Sequence, residues 1–188
     1  MAGLYFKYGV MNSSKSANLL MIRYNYVSAG FNVLVLKPAL DTRDKDGKLT
    51  SRVGIECDCV MITEDTDLKE LCKDADVIMI DEAQFLSKGK VDELYELSYD
   101  KVVMCFGLLT DFKRELFEGS KRLVELADSI HEIKSVCKCG KRATVSARYT
   151  NGVLQVDGEQ ILVGAEKEYK ALCKYCYLKE LKNVSAKK

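Results

Sequence analysis

An excess of charge of either sign is missing from this chain: 29 Lys and Arg stand against 28 Asp and Glu, for a formal net charge of +1. Charges so evenly balanced give no electrostatic footprint for nucleic acid. Long apolar runs are missing too. No segment approaches the length that spans a bilayer, and the first residues run into a strand pattern in place of a signal-peptide cleavage pattern. These absences lead to the expectation of a cytoplasmic protein with neither membrane nor nucleic acid as partner. Histidine occurs once, at His131, and proline once, at Pro38. His131 stands at the start of an expected strand and reads as structural. There is no internal repeat.

Cysteine, by contrast, is plentiful, with 8 in 188 residues. In a reducing compartment that number argues against a disulfide framework and for metal ligation or plain burial. Hydrophobic residues make up 47%, enough to bury a sizeable core in one domain with a small appendage.

The stretch that organises the chain is the apolar strand Leu4–Tyr8, broken at Gly9 and running through Val10, Met11, Asn12, Ser13 and Ser14 to Lys15 and Ser16. In a G-x-x-x-x-G-K-[ST] loop, backbone N–H groups and the following helix N-terminus cradle phosphates, the lysine reaches the β/γ oxygens and the hydroxyl binds Mg²⁺. Gly9, Lys15 and Ser16 fit those roles. Ser14 stands where the second glycine belongs and adds a Cβ where backbone should approach the ligand. Two readings fit the stretch: a phosphate loop, or a lysine and serines capping an ordinary helix.

Next come a helix over Ser16–Ala29 ended by Gly30, and a strand at Phe31–Lys37 stopped by Pro38, which together imply a parallel pair. A polar loop runs from Asp41 to about Arg52. Thr66–Asp74 reads as a short helix, Asp76–Asp81 as a strand apolar on both faces, Lys90–Tyr99 as a helix, Lys101–Gly107 as a buried strand and Phe117–Ala127 as a returning helix. The sum is an α/β fold with four or five parallel strands flanked by helices. From Ile130 onward, alternation, the turns Asn151-Gly152 and Asp157-Gly158, and two cysteine pairs predict a small β-rich lobe. Lys182–Lys188 reads as a disordered tail.

Asp81 and Glu82 end the most apolar strand, a costly place for two carboxylates without a cation. Beside a phosphate loop, the first carboxylate holds Mg²⁺ and the second acts on the nucleophile. Alone, the pair reads equally well as a cap on the following segment.

Gly9–Ser13, Asp41-Thr42-Arg43, Asp81-Glu82-Ala83-Gln84-Phe85, Phe106-Gly107-Leu108 with Asp111-Phe112, and a cysteine pair followed by Gly164, Tyr169 and Cys173-x-x-Cys176 together resemble the type II thymidine kinases from about Leu4 to Tyr177. The resemblance implies transfer of the ATP γ-phosphoryl group to the 5′-hydroxyl of thymidine, with deoxyuridine a second acceptor, in nucleoside salvage. It also implies a need for Mg²⁺, a homotetramer and a structural zinc in the small lobe. The domains would then be 1–130 (P-loop α/β kinase), 131–180 (zinc-binding, nucleoside-covering lobe) and 181–188 (tail).

Carried over by position, Lys15 would neutralise the β/γ-phosphates, Ser16 would ligate Mg²⁺, Asp81 would order its water shell, Glu82 would be the base and Arg43 would bring charge to the transferring group. Met11, Leu108, Phe112 and Tyr169, with Phe85 behind them, match the nucleoside pocket; each alone would read as core. Leu162, Val163, Gly164 and Ala165 match the loop that folds over the nucleoside, and Ser146 a small hydroxyl position. Cys137, Cys139, Cys173 and Cys176 match the zinc ligands, although one residue intervenes between Cys137 and Cys139 where the family typically has two, so their turn must be tighter. Free buried cysteines are the other reading of these four, and Cys57, Cys59, Cys72 and Cys105 read as small apolar residues. Ser14 and Leu109 also depart from the family pattern. An alternative function is a non-catalytic nucleotide or nucleoside sensor that kept the fold, and a third is a P-loop kinase for another acceptor.

Overall fold

A computed structural model describes residues 2–40, 47–161 and 168–185. Strand β1 (Gly3–Tyr8) leads into helix α1 (Lys15–Ser28), and β2 (Val33–Pro38) follows. A short hairpin, β3 (Lys48–Thr50) and β4 (Glu56–Asp58), lies partly where a polar loop was expected, and Ser51 closes its turn through hydrogen bonds with Ile55. Then come β5 (Val60–Ile62), the one-turn helix α2 (Leu68–Leu71) capped by Asp67, β6 (Val77–Ile80), α3 (Lys88–Leu97), β7 (Val102–Gly107), α4 (Glu118–Leu126) and β8 (Ser129–Glu132).

The strands form one parallel sheet of six in the order β5-β2-β6-β7-β1-β8. The expected count of four or five falls short because β5 is too brief to show a period and because β8 was assigned to the small lobe. Parallel pairing with Tyr5–Tyr8 places β8 in the main sheet. Both faces are covered, as the continuous apolar runs require. Ile78 and Ile80 join Leu4, Phe6, Val103 and Cys105 beneath α3 and α4, while Val77, Met79, Met104 and Phe106 meet Leu19 and Leu20 of α1 on the other face. Cys72 and Cys105 are fully buried in the first of these layers, and burial pushes the Cys72 thiol up to about 11.

The remaining chain forms β9 (Ser135–Val136), β10 (Arg142–Ala143), β11 (Val145–Thr150), β12 (Val153–Leu154), β13 (Tyr169–Leu172) and α5 (Lys174–Ser185). Asn151 and Gly152, with φ of 51° and 78°, make the tight turn between β11 and β12 that their sequence predicts. Helix α5 continues to Ser185 where a disordered tail from Lys182 was expected, because Leu181 and Val184 pack on the lobe's apolar cluster.

Candidate active site and cysteine cluster

All carboxyl ends of a parallel sheet share one edge, and residues 9–16, 81–85 and 107–112 leave the sheet there. Gly9 donates its N–H to Gly107 O at 3.1 Å. A Cβ at Gly9 would lie 2.3 Å from Ser13 Oγ and 2.7 Å from Ile133 O, so close packing demands glycine. Asn12 and Ser14 have left-handed φ of 63° and 62°. A glycine would adopt that conformation freely, whereas serine costs roughly 1–2 kcal/mol there. Ser14, at the N-cap of α1, makes no side-chain cap.

Lys15 is buried, and its Nζ donates to Val10 O at 3.1 Å. Ser16 Oγ donates to Asp81 Oδ2 at 2.7 Å. Asp81 is 1% exposed, and its Oδ1 has no hydrogen-bond partner. Burial, followed by the Glu82 charge, pushes its carboxyl up to about 6 against the pull of the Ser16 hydroxyl, Lys15 and Lys37. A hydroxyl beside a buried carboxylate with an orphaned oxygen is a hard-oxygen donor set that fits a small divalent cation. Glu82 follows, buried, with φ 53° and ψ 37°.

A pocket between the loop and this pair is lined by Met11 to Ala17, Glu82, Arg52 and Val53. Arg52 was missed because only the β3–β4 turn brings it to the loop. Gln84 was read as part of a motif and given no role, although its amide bonds Glu82. Arg43, Leu162 and Gly164 lie outside the described residues, as do Asp41, Thr42, Val163 and Ala165.

On the other side of the loop, Val10 packs into the small lobe's cluster, and Met11 donates its N–H to Ser146 Oγ at 3.0 Å. Leu108 and Phe112 are buried, with the Arg148 guanidinium 3.5 Å above the Phe112 ring. Phe85 meets Phe117 edge to face at 6.0 Å. Tyr169 opens β13 opposite Arg148. Tyr8, Gly9, Val10, Leu109 and Ser146 share a cavity where the lobe meets the sheet edge.

Cys137, Cys139, Cys173 and Cys176 converge, with all four sulfurs within 4.8 Å of one another. The single-residue spacing is accommodated by a tight turn in which Gly140 N–H bonds Cys137 O and Cys137 N–H bonds Lys141 O, both at 2.8 Å. Backbone N–H groups of Cys139 and Cys173 hold the Cys137 thiol down to about 6. Cys176 is pushed up to about 12, chiefly by hydrogen bonds with the Cys139 and Cys173 thiols. Around a tetrahedral ion with metal–sulfur bonds of about 2.3 Å, sulfurs sit roughly 3.8 Å apart, so the cluster is compatible with structural zinc.

A lysine and hydroxyl at a strand-to-helix loop, opposed to two buried carboxylates at the same sheet edge, form a site whose chemistry can take a phosphate and a divalent cation. The relatives show the family. A family model described as thymidine kinase matches residues 2–177. The chain is 43% identical over 186 residues to thymidine kinase from Streptococcus gordonii, covering 95% of this chain and 97% of that one. It is 44% identical to the thymidine kinase of Enterobacteria phage T4, covering 93% and 94%, and 37% identical to that of Photorhabdus laumondii, covering 96% and 94%. The chain belongs to the thymidine kinase family. Among solved structures, Pif1 helicase from Candida albicans aligns with a TM-score of 0.43 at 12% identity, over 71% of this chain and 36% of that one.

Proposed function

We propose that this enzyme transfers the γ-phosphoryl group of ATP to the 5′-hydroxyl of thymidine, and of deoxyuridine. The observation that carries the reading is the convergence of Lys15, Ser16 and Glu82 on one pocket at the sheet edge, with Asp81 buried behind Ser16 and bonded to its hydroxyl. Left-handed Asn12 and Ser14 and the start of α1 present loop N–H groups to the phosphates, and Lys15 neutralises the β/γ oxygens. Ser16 and Asp81 hold Mg²⁺, which when bound offsets charge on the phosphate oxygens. Glu82 takes the proton of the 5′-hydroxyl as that oxygen attacks. Arg52, with Arg43, adds positive charge beside the transferring group. Met11, Leu108, Phe112, Tyr169 and Phe85 wall the nucleoside, with Ser146 behind the loop and Leu162–Ala165 covering it.

The four clustered thiols hold zinc, which ties the lobe of 131–180 together beside the kinase part of 1–130. The exposed face of α1, carrying Met21, Tyr24 and Val27, supports assembly into a homotetramer. Eight cysteines, none of them in a disulfide, support a cytoplasmic setting. Among the described residues no helix is long and apolar enough to cross a membrane.

The test is ADP release with ATP, Mg²⁺ and a panel of nucleosides, run on wild type and Glu82→Gln. Thymidine should drive release, and Glu82→Gln should bind thymidine normally while losing about 10²–10⁴-fold in kcat. Nucleoside binding without any turnover would favour the sensor reading. A Glu82→Gln enzyme with wild-type kcat would end the assignment of the base.

A further inference from the structure

The Glu82 carboxylate is held from the side. Gln84, 2% exposed, donates from Nε2 to Glu82 Oε2 at 2.6 Å, and its Oε1 accepts the Leu108 N–H at 2.9 Å. A backbone N–H is only a donor, so Leu108 fixes which end of the amide is oxygen, and the nitrogen must then face the carboxylate. The turn has no room to shift. A Cβ at Gly107 would lie 2.6 Å from Gln84 Oε1, and one at Gly119 would lie 2.7 Å from Ala83 O. Ser120 Oγ, in the first turn of α4, donates to Leu108 O at 2.5 Å and locks the far side. Glu82 is itself in a left-handed conformation, and such strain persists only where surrounding contacts over-determine it.

We propose that Gln84 is a positioning residue for the phosphoryl transfer, aiming the Glu82 carboxylate and tying it to Leu108 so that the base and the wall of the nucleoside pocket keep one fixed spacing. This rests on Glu82 being the base. Glutamine suits the task because it offers one acceptor and one donor at the same reach. Gln84→Glu keeps the acceptor for Leu108 and sets a second carboxylate against Glu82.

The experiment is a double-mutant cycle in the full-length enzyme: wild type, Gln84→Glu, Glu82→Gln and the double variant, with kcat and both KM values measured for each. Gln84→Glu is expected to lower kcat at least about tenfold while the thymidine KM stays within about twofold. In the Glu82→Gln background it should cost nothing further, because the carboxylate it misaims is gone. An unchanged kcat for Gln84→Glu, or an equal loss in both backgrounds, overturns the proposal and leaves the base assignment standing. A Glu82→Gln enzyme at full kcat overturns both. Thermal melting with ADP reports folding; if Gln84→Glu does not fold, Gln84→Met is judged on the non-additivity of kcat alone.

Discussion

The loop of residues 9–16 and the cysteine lobe touch at Val10 and Met11, yet they are held by different means. The loop springs from a sheet whose central strands β6 and β7 are buried at every residue and packed on both faces. The lobe has strands of two to six residues around a small cluster in which Cys137 and Cys173 themselves count among the buried members. A deep core can hold Asn12, Ser14 and Glu82 in left-handed backbone. A thin core leans on a cross-link, because apolar area falls with size faster than chain entropy does.

The comparison breaks most sharply at the cysteines. Cys173→Ser, or a strong chelator, should melt the lobe well below the rest of the chain and release one zinc per chain. Metal-binding energy of this kind acts as folding energy and reaches about 10–16 kcal/mol in isolated zinc peptides. Circular dichroism melting and metal analysis check it; zinc-free protein purified without chelator, melting in one transition, would reject it.

The next effect belongs to the loop's side. The Asp81 carboxyl is raised to about 6 from its ordinary 3.8, so the fold favours its protonated form. That contribution is fully present below about pH 4 and lost as pH rises through 6. Without Mg²⁺, Asp81→Asn should therefore melt with wild type at pH 4 and become more stable above pH 7 by on the order of 3 kcal/mol, at 1.36 kcal/mol per pKa unit. A constant difference in Tm across the pH range would contradict this.

The smallest expected effect sharpens the picture of the strained loop. Ser14→Gly should raise the stability of the ligand-free enzyme by about 1–2 kcal/mol, the cost of a Cβ in left-handed backbone that the free chain already carries, with both KM values barely moved. An unchanged or lower melting temperature, or an ATP affinity that weakens, would mean that the serine side chain contributes to the loop.

Much of this was legible from residue order. β6, β7 and α1 announce themselves because runs buried on both faces and a helix after a glycine leave strong local patterns. The four cysteines were readable as a set, since their chemistry is carried by residue type. What stayed hidden depends on partners distant in sequence: Arg52 reaches the loop through a hairpin turn, Gln84 matters through Leu108, and β8 joins the main sheet by pairing with a strand more than a hundred residues earlier. The left-handed state of Ser14 was equally invisible; a serine shows that a glycine is missing, and only coordinates show the conformation it must then adopt.

The sheet's outer strands carry a consequence for the crowded state in which such a chain works. β5 and β8, at the two edges, are only three and four residues long. An open row of backbone donors and acceptors invites a neighbouring chain to add a strand, and the invitation lengthens with each residue of edge. Here the long, thoroughly apolar strands are kept inside. What faces outward is too brief to template a fibril, so the most hydrophobic part of the molecule is also the part least able to recruit another copy by strand addition.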